Sequence, residues 1–291
     1  MKTKLLWLQG VTCNGNVHSF LTYPYLEQFL RDFEFTYHPV LDTDTSLEDV
    51  VSGKLSCDIL LIDGAISPNF KRHDTSIISL INTYAKKARK VIAIGTCASY
   101  GGIFKEGDYK NTQGLLYKGE SRLNTYEFDA SKIINIPGCP VHPEVIANTI
   151  YLARDTLYMR LDTEQRPIEY YSNTIHNGCT RNEYFEWKID TFDFGEKEGC
   201  MYYSRGCQAP YTHGSCNTLL WSGVGSKTRS GSPCFGCNEP TFPKRNLFKT
   251  KTNMSIPQNL PLGIPKRAYL SLAGVAKTFK IPRLYGKLHE D

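Results

Sequence analysis

The sequence predicts an α/β chain in two parts. A doubly wound parallel sheet occupies residues 1–163, and an irregular, metal-dependent region occupies residues 164–291. Three observations predict this. Short apolar runs alternate with helical stretches as far as about residue 160. That rhythm then gives way to sequence rich in Gly, Pro, Asn, Tyr and Cys. Six of the ten cysteines crowd into residues 179–237.

The apolar runs LLWLQ (5–9), FEFTYH (33–38), DILLID (58–63), VIAIG (91–95) and KIINIP (132–137) read as strands. Helices are expected near 19–31, 46–53, 74–90 and 142–155. The third has Asp74 as N-cap and Lys86, Lys87, Arg89 and Lys90 in its last turns, where cations complement the helix dipole. Strands alternating with helices imply a parallel sheet covered on both faces, with a flavodoxin-like order the simplest choice. No internal repeat or low-complexity tract is present.

A chain of 291 residues with a formal charge of +5 has ample apolar sequence for a core. No stretch approaches the roughly 20 apolar residues of a membrane span. The opening MKTKLLWLQG lacks a long apolar region, a small-residue cleavage site and a twin-arginine pair, and reads as the first buried strand of a cytosolic protein. Disulfides are rare in the cytosol, so ten cysteines there point to metal. Charge is uneven: from Thr241 onward ten Lys/Arg face two acids, a basic tail of +8 after 240 residues summing to −3.

In a parallel sheet all strand carboxyl ends share one edge, where ligands of open α/β sheets sit. Cys13 follows the first strand, Cys97 in GTCASYGG the fourth, and Cys139 in IPGCPVHPE the fifth. Glycines flank each and allow close approach to a bulky ligand. Cys57 precedes the third strand, at the opposite edge, and reads as a structural core thiol. The second region offers His176, Cys179, Cys200 and Cys207, a four-point donor set. Cys216, Cys234 and Cys237 make a three-point one. Structural zinc takes four Cys or His ligands, so it suits the first set better than the two groups of three. Iron–sulfur clusters suit soft thiolates and several sites in one chain. Both chemistries stay open on the residues alone.

The motifs LQGxxCxG, GTCAxxGG, IPGCPxxP, HxxC, GCxxxxxxC and PCxGCxEPxFP, in this order and spacing, resemble the small subunit of nickel–iron hydrogenases over nearly the whole chain. The resemblance implies a flavodoxin-like domain followed by an irregular cluster-binding domain. By position it implies that Cys13, Cys97 and Cys139 hold a proximal cluster. His176, Cys179, Cys200 and Cys207 would hold a distal four-iron cluster. Cys216, Cys234 and Cys237 would hold a medial one, three-iron in many relatives. Most relatives have a second cysteine where Asn16 stands; Cys-x-Gly-Asn resembles a cytoplasmic uptake branch, group 2. Asp63 ends the third strand at the same edge. It is the candidate fourth proximal ligand of a four-iron cluster. A three-iron cluster is the rival, with Asp63 serving only as a hydrogen-bond acceptor and Asn16 as a supporting group. The medial spacer GVGSKTRSGS lacks the proline many relatives carry, leaving the medial cluster three-iron or four-iron.

The activity so implied is reversible oxidation of dihydrogen at a nickel–iron centre on a separate large subunit. This chain would carry electrons to a downstream acceptor. The resemblance implies an obligate heterodimer, and a higher oligomer of heterodimers is expected. The expected location is the cytoplasm, including peripheral contact with the inner face of the membrane. The tail from about residue 241 is expected to wrap the partner subunit, ahead of docking to a membrane surface or an acidic acceptor. Its basic residues are interrupted by apolar ones with no groove-binding motif, so no nucleic-acid partner is expected. Two other readings are a hydrogen-sensing hydrogenase and, from a different class, a zinc-stabilised binding module.

Overall fold

The five apolar runs become five strands: β1 (Thr3–Gln9), β2 (Phe33–Tyr37), β3 (Ile59–Asp63), β4 (Lys90–Ile94) and β5 (Ile133–Ile136). They form one parallel sheet in the order β2-β1-β3-β4-β5. That is the flavodoxin-like order expected. The computed structural model describes residues 2–106, 111–118, 120–123, 127–156 and 159–243, with residues 268, 271 and 275. Most of the basic tail lies outside the described residues.

Continuous apolar strands are explained by cover on both faces, because successive side chains point to opposite sides. Leu5, Trp7, Ile59, Leu61, Ile92 and Ile94 face one side. They meet α1 (Gly15–Leu21), α2 (Leu26–Asp32) and α6 (Pro143–Asp155) through Val17, Phe20, Phe29, Val145, Ile146 and Ile150. Leu6, Leu8, Leu60, Ile62, Val91 and Ala93 face the other. They meet α3 (Leu47–Val51) through Val50, and α4 (Ile77–Lys87) through Ile77, Leu80, Ile81 and Tyr84. Cys57 belongs to this second core, with its thiol pushed up to about 12 by burial first and the neighbouring Asp58 second.

Two helices differ from expectation. The stretch 19–31 is two helices, broken where Pro24, which has no N–H to donate, follows Thr22 at the C-cap of α1. The third predicted helix starts later than 74: Thr75 and Ser76 pair with Arg72 and Lys71 in a small hairpin. Ser76, rather than Asp74, caps α4 by accepting from the Ile78 N–H.

The second region has little regular structure: α7 (Ile168–Tyr171), α8 (Asn182–Glu186), α9 (Tyr202–Arg205) and short 3-10 turns. Its buried cluster comprises Ile175, Met201, Tyr202, Ala209 and three cysteines, Cys200, Cys207 and Cys234. Nearly half of this small core is therefore sulfur that can bind metal. No helix among the described residues is long and apolar enough to cross a membrane.

One buried titratable side chain gives the sheet a pH signature. His38, 3% exposed, accepts from the N–H groups of Val40 (3.2 Å) and Leu41 (2.9 Å) and packs edge-on against Trp7. Burial lowers it from 6.5 to about 4. An unfolded chain takes up this proton near 6.5 while the folded one refuses it until about 4. The stabilisation is complete above that window and is lost as pH falls through it, about 3 kcal/mol in all. The melting temperature of the assembled enzyme is therefore expected to fall with acidification between these limits. His38→Asn, which retains an acceptor for the turn, should make that fall shallower; an equally steep fall contradicts the assignment.

Candidate functional site

The sheet register sets the first group of donors. Gln9, Asp63 and Ile94 lie in one row across β1, β3 and β4, and Ile94 pairs with Ile136 of β5. Cys13 leaves β1, Cys97 lies in α5 (Gly95–Tyr100) after β4, and Cys139 follows β5. The topology thus brings the three cysteines to one edge, as the sequence suggests, and leaves Cys57 at the other. Cys13 and Cys139 are exposed and Cys97 is partly buried. The Cys97 thiol is pushed up to about 12, by burial first and then by the nearby Cys139 and Cys13 thiols and the Asp63 carboxyl. The Ile103 N–H, donating to its sulfur, opposes the rise. Gly102, at φ +54°, is required here, because a Cβ would lie 2.5 Å from the Cys97 Sγ.

Asp63 is fully buried beneath this loop. Asn16 Nδ2 donates to its Oδ1 (2.8 Å), while Thr12 Oγ1 (3.3 Å) and Gln9 Nε2 (3.5 Å) donate to its Oδ2. Burial raises its pKa, and these neutral donors lower it. Asn16 also donates to the Ile94 carbonyl (3.2 Å) and accepts from the Val141 N–H (3.0 Å). One amide thus joins the ends of β3 and β4 to the segment after Cys139. Gly95 makes room for it: a Cβ there would meet Asn16 Nδ2 at 2.2 Å.

Thr96 was not singled out by sequence reasoning, although it flanks Cys97. Its Oγ1 accepts from the Gly138 N–H (3.0 Å) and donates to the Cys237 carbonyl (2.5 Å). It joins the first group of cysteines to the second. The Cys139 N–H also donates to the Cys237 thiol. Cys139, Cys216, Cys234 and Cys237 line one cavity of about 350 Å³ with Tyr171 and Lys227. Burial above all pushes Cys216 up to about 12 and Cys234 well above the ordinary thiol range.

The loop of Cys234 and Cys237 is clamped by charge. Glu239 Oε1 accepts from Arg166 Nη1 (3.2 Å) and the His213 N–H (2.6 Å), and Arg166 also donates to the Asn238 carbonyl (3.1 Å). Arg166, 3% exposed, has a second carboxylate partner in Asp162 (2.7 Å). A buried guanidinium needs such pairing. The Glu in PCxGCxEP is the sequence signal that could have found this clamp.

The third group lies around a narrow cleft of about 10 Å³ lined by His176, Cys179, Cys200 and Cys207. The His176 ring packs against Phe185 at 4.5 Å, and burial lowers its pKa. Backbone N–H groups face the sulfurs: Arg181 to Cys179 (3.4 Å), Tyr202 to Cys200 (3.4 Å) and Cys234 to Cys207 (3.2 Å). The last contact joins the second group to the third. Arg181 is buried and donates to the carbonyls of Thr228, Gly199 and Glu198, holding the walls of the cleft together.

Among the described residues, no three His, Cys, Asp or Glu side chains are arranged around a point that would hold a single metal ion. The donor chemistry fits iron–sulfur groups: soft thiolates lining a space, with peptide N–H groups directed at sulfur. Buried thiols with raised pKa must release protons when metal binds.

The family model for the C-terminal part of the NiFe/NiFeSe hydrogenase small subunit matches residues 171–249. Another, NADH ubiquinone oxidoreductase, 20 Kd subunit, matches residues 13–153. The F420 non-reducing hydrogenase I small subunit of Methanosarcina mazei is 31% identical, over 83% of this chain and 74% of its own. The Hydrogenase-2 small chain of Escherichia coli (strain K12) is 29% identical, over 81% and 66%. In fold, the chain is similar to a chain of the actinobacterial-type NiFe-hydrogenase of Ralstonia eutropha H16. The TM-score is 0.73 at 23% identity, over 96% of this chain and 91% of that one. A recombinant [NiFeSe] hydrogenase from Desulfovibrio vulgaris Hildenborough gives 0.69 at 25%, over 84% and 95%. On this agreement of sequence along most of both chains, the protein belongs to the small-subunit family of nickel–iron hydrogenases.

Proposed function

We propose that this chain is the electron-transfer subunit of a cytoplasmic uptake hydrogenase. It would pass electrons from dihydrogen oxidation at the large subunit through three iron–sulfur clusters to an acceptor. As a hydrogenase small subunit it pairs with a large subunit that carries the nickel–iron active site. The observation that carries the wire is the run of contacts from Cys139 N–H to the Cys237 thiol and from Cys234 N–H to the Cys207 thiol. It joins the three donor groups in one direction, from the sheet edge outward.

Cys13, Cys97 and Cys139 would hold the proximal group, Cys216, Cys234 and Cys237 the medial, and His176, Cys179, Cys200 and Cys207 the distal. Bound clusters would supply one-electron chemistry at each position. The chain's own part is to hold the thiolates, exclude water and aim N–H dipoles at sulfur. The exposed Cys13 and Cys139 favour a sheet edge covered by the large subunit. The cytoplasmic location rests on the sequence resemblance, and relatives named as periplasmic exist, such as the [NiFe] hydrogenase small subunit of Solidesulfovibrio fructosivorans. A hydrogen-sensing role differs in having low turnover and a signalling partner.

The test is hydrogen itself. Hydrogen should bleach the visible absorption of the anaerobically purified complex, with sustained turnover of an artificial acceptor. Cys216→Ser should leave the heterodimer assembled but cut that turnover at least tenfold. A colourless complex containing zinc and no acid-labile sulfide contradicts the proposal, and bleaching with negligible turnover favours the sensing role.

For the proximal group, full burial and three neutral donors support Asp63 as a hydrogen-bond acceptor that holds the Cys13 loop. Asp63→Asn should then retain the type of proximal signal while destabilising the chain by about 1–3 kcal/mol. Conversion of a four-iron proximal signal to a three-iron one would instead make Asp63 the fourth ligand.

A further inference from the structure

The spacer between Cys216 and Cys234 carries one lysine, Lys227, and the fold holds its backbone on both sides. Ser226 and Thr228 are buried, and their hydroxyls donate to Asn217 Oδ1 at 2.5 and 2.8 Å. Asn217 is fixed in turn by donating to the Ile175 carbonyl (2.7 Å). Lys227 lines the cavity of about 350 Å³ that contains Cys139, Cys216, Cys234 and Cys237. Its ammonium lies 4.4 Å from the centre of the Phe235 ring, within the Cys-Phe-Gly-Cys loop itself. A cation over an aromatic face is held there by the ring quadrupole. Its charge bears on three of the thiols, Cys139, Cys216 and Cys237, favouring their anionic forms. The acid near Cys237, Glu239, is shared between Arg166 (3.2 Å) and His213 (3.0 Å). Arg166 divides its one charge between Glu239 and Asp162, whereas no ion pair among the described residues engages Lys227.

We propose that Lys227 tunes the reduction potential of the group held by Cys216, Cys234 and Cys237, as a fixed positive charge on the wall of their cavity. The inference rests on the medial assignment proposed above. Reduction adds negative charge, so a cation at this wall stabilises the reduced form and raises the potential. An upward shift makes the medial position a better acceptor from the proximal one. Lys227 is a positioning charge rather than a catalytic residue. Its side chain is exposed, and solvent screening limits the effect.

The experiment is a redox titration of the assembled enzyme followed by electron paramagnetic resonance, comparing wild type, Lys227→Gln and Lys227→Arg. Lys227→Gln should shift the medial oxidised-to-reduced ratio about tenfold toward the oxidised form at a given potential, a fall of ~59 mV for a one-electron couple. Lys227→Arg, which keeps the charge, should stay near wild type, and the distal signal should move less than the medial one. An unchanged medial midpoint in Lys227→Gln overturns the proposal, as does an equal fall in both variants, which would make packing the cause. Loss of the medial signal with loss of iron in Lys227→Gln also overturns it, by assigning the residue to assembly. A wild-type enzyme with no medial signal would instead remove the medial assignment itself.

Discussion

Everything in this molecule depends on five strands running parallel. Parallel pairing places each strand's carboxyl end at the same edge, so residues 84 and 42 positions apart, Cys13, Cys97 and Cys139, become neighbours. The same rule sends Cys57 to the far edge and into the core. Sheet pairing brings these loops to one place without orienting them. That orientation comes from the Asn16 side chain, whose amide joins Asp63, Ile94 and Val141. Asn16 is thus the residue that binds the loops of the edge to one another.

Beyond the sheet, the physical problem changes. The second region buries few aliphatic side chains, and cysteines form much of its core. A buried thiol without metal costs little, because it remains protonated; burial holds Cys200 up at about 11 and Cys216 at about 12. A buried thiolate would be costly unless paired. Bound metal would supply that pairing and the missing cross-links together, which would couple the folding of this region to cofactor binding. The peptide N–H groups aimed at sulfur, and the clamp of Arg166 and Glu239, are what the protein itself contributes to holding the donors apart.

Much of this was legible in the sequence. The strand edges, the two faces of the sheet and the meeting of Cys13, Cys97 and Cys139 at one edge follow from periodicity and topology. Local competition was harder to read. Pro24 divided a predicted helix, and a two-residue hairpin pairing moved the cap of α4 from Asp74 to Ser76. The contacts of Thr96, Asn16 and Arg166 span 141, 125 and 73 positions, so a local motif can mark a residue, as PCxGCxEP marks Glu239, without naming its partner. Gly95 and Gly102 were visible as flanking glycines, yet only the fold shows that one accommodates the Asn16 amide and the other the Cys97 thiol.

The central claim is that this chain holds three iron–sulfur groups in series. It is tested most directly by electron paramagnetic resonance of the anaerobically purified complex, oxidised and then reduced, with iron and acid-labile sulfide quantified on the same sample. The account predicts nearly equal iron and sulfide, and signals from three magnetically interacting clusters. Little iron, or fewer than three cluster signals in an intact heterodimer, would contradict it and return the cysteines concerned to structural or zinc-binding roles.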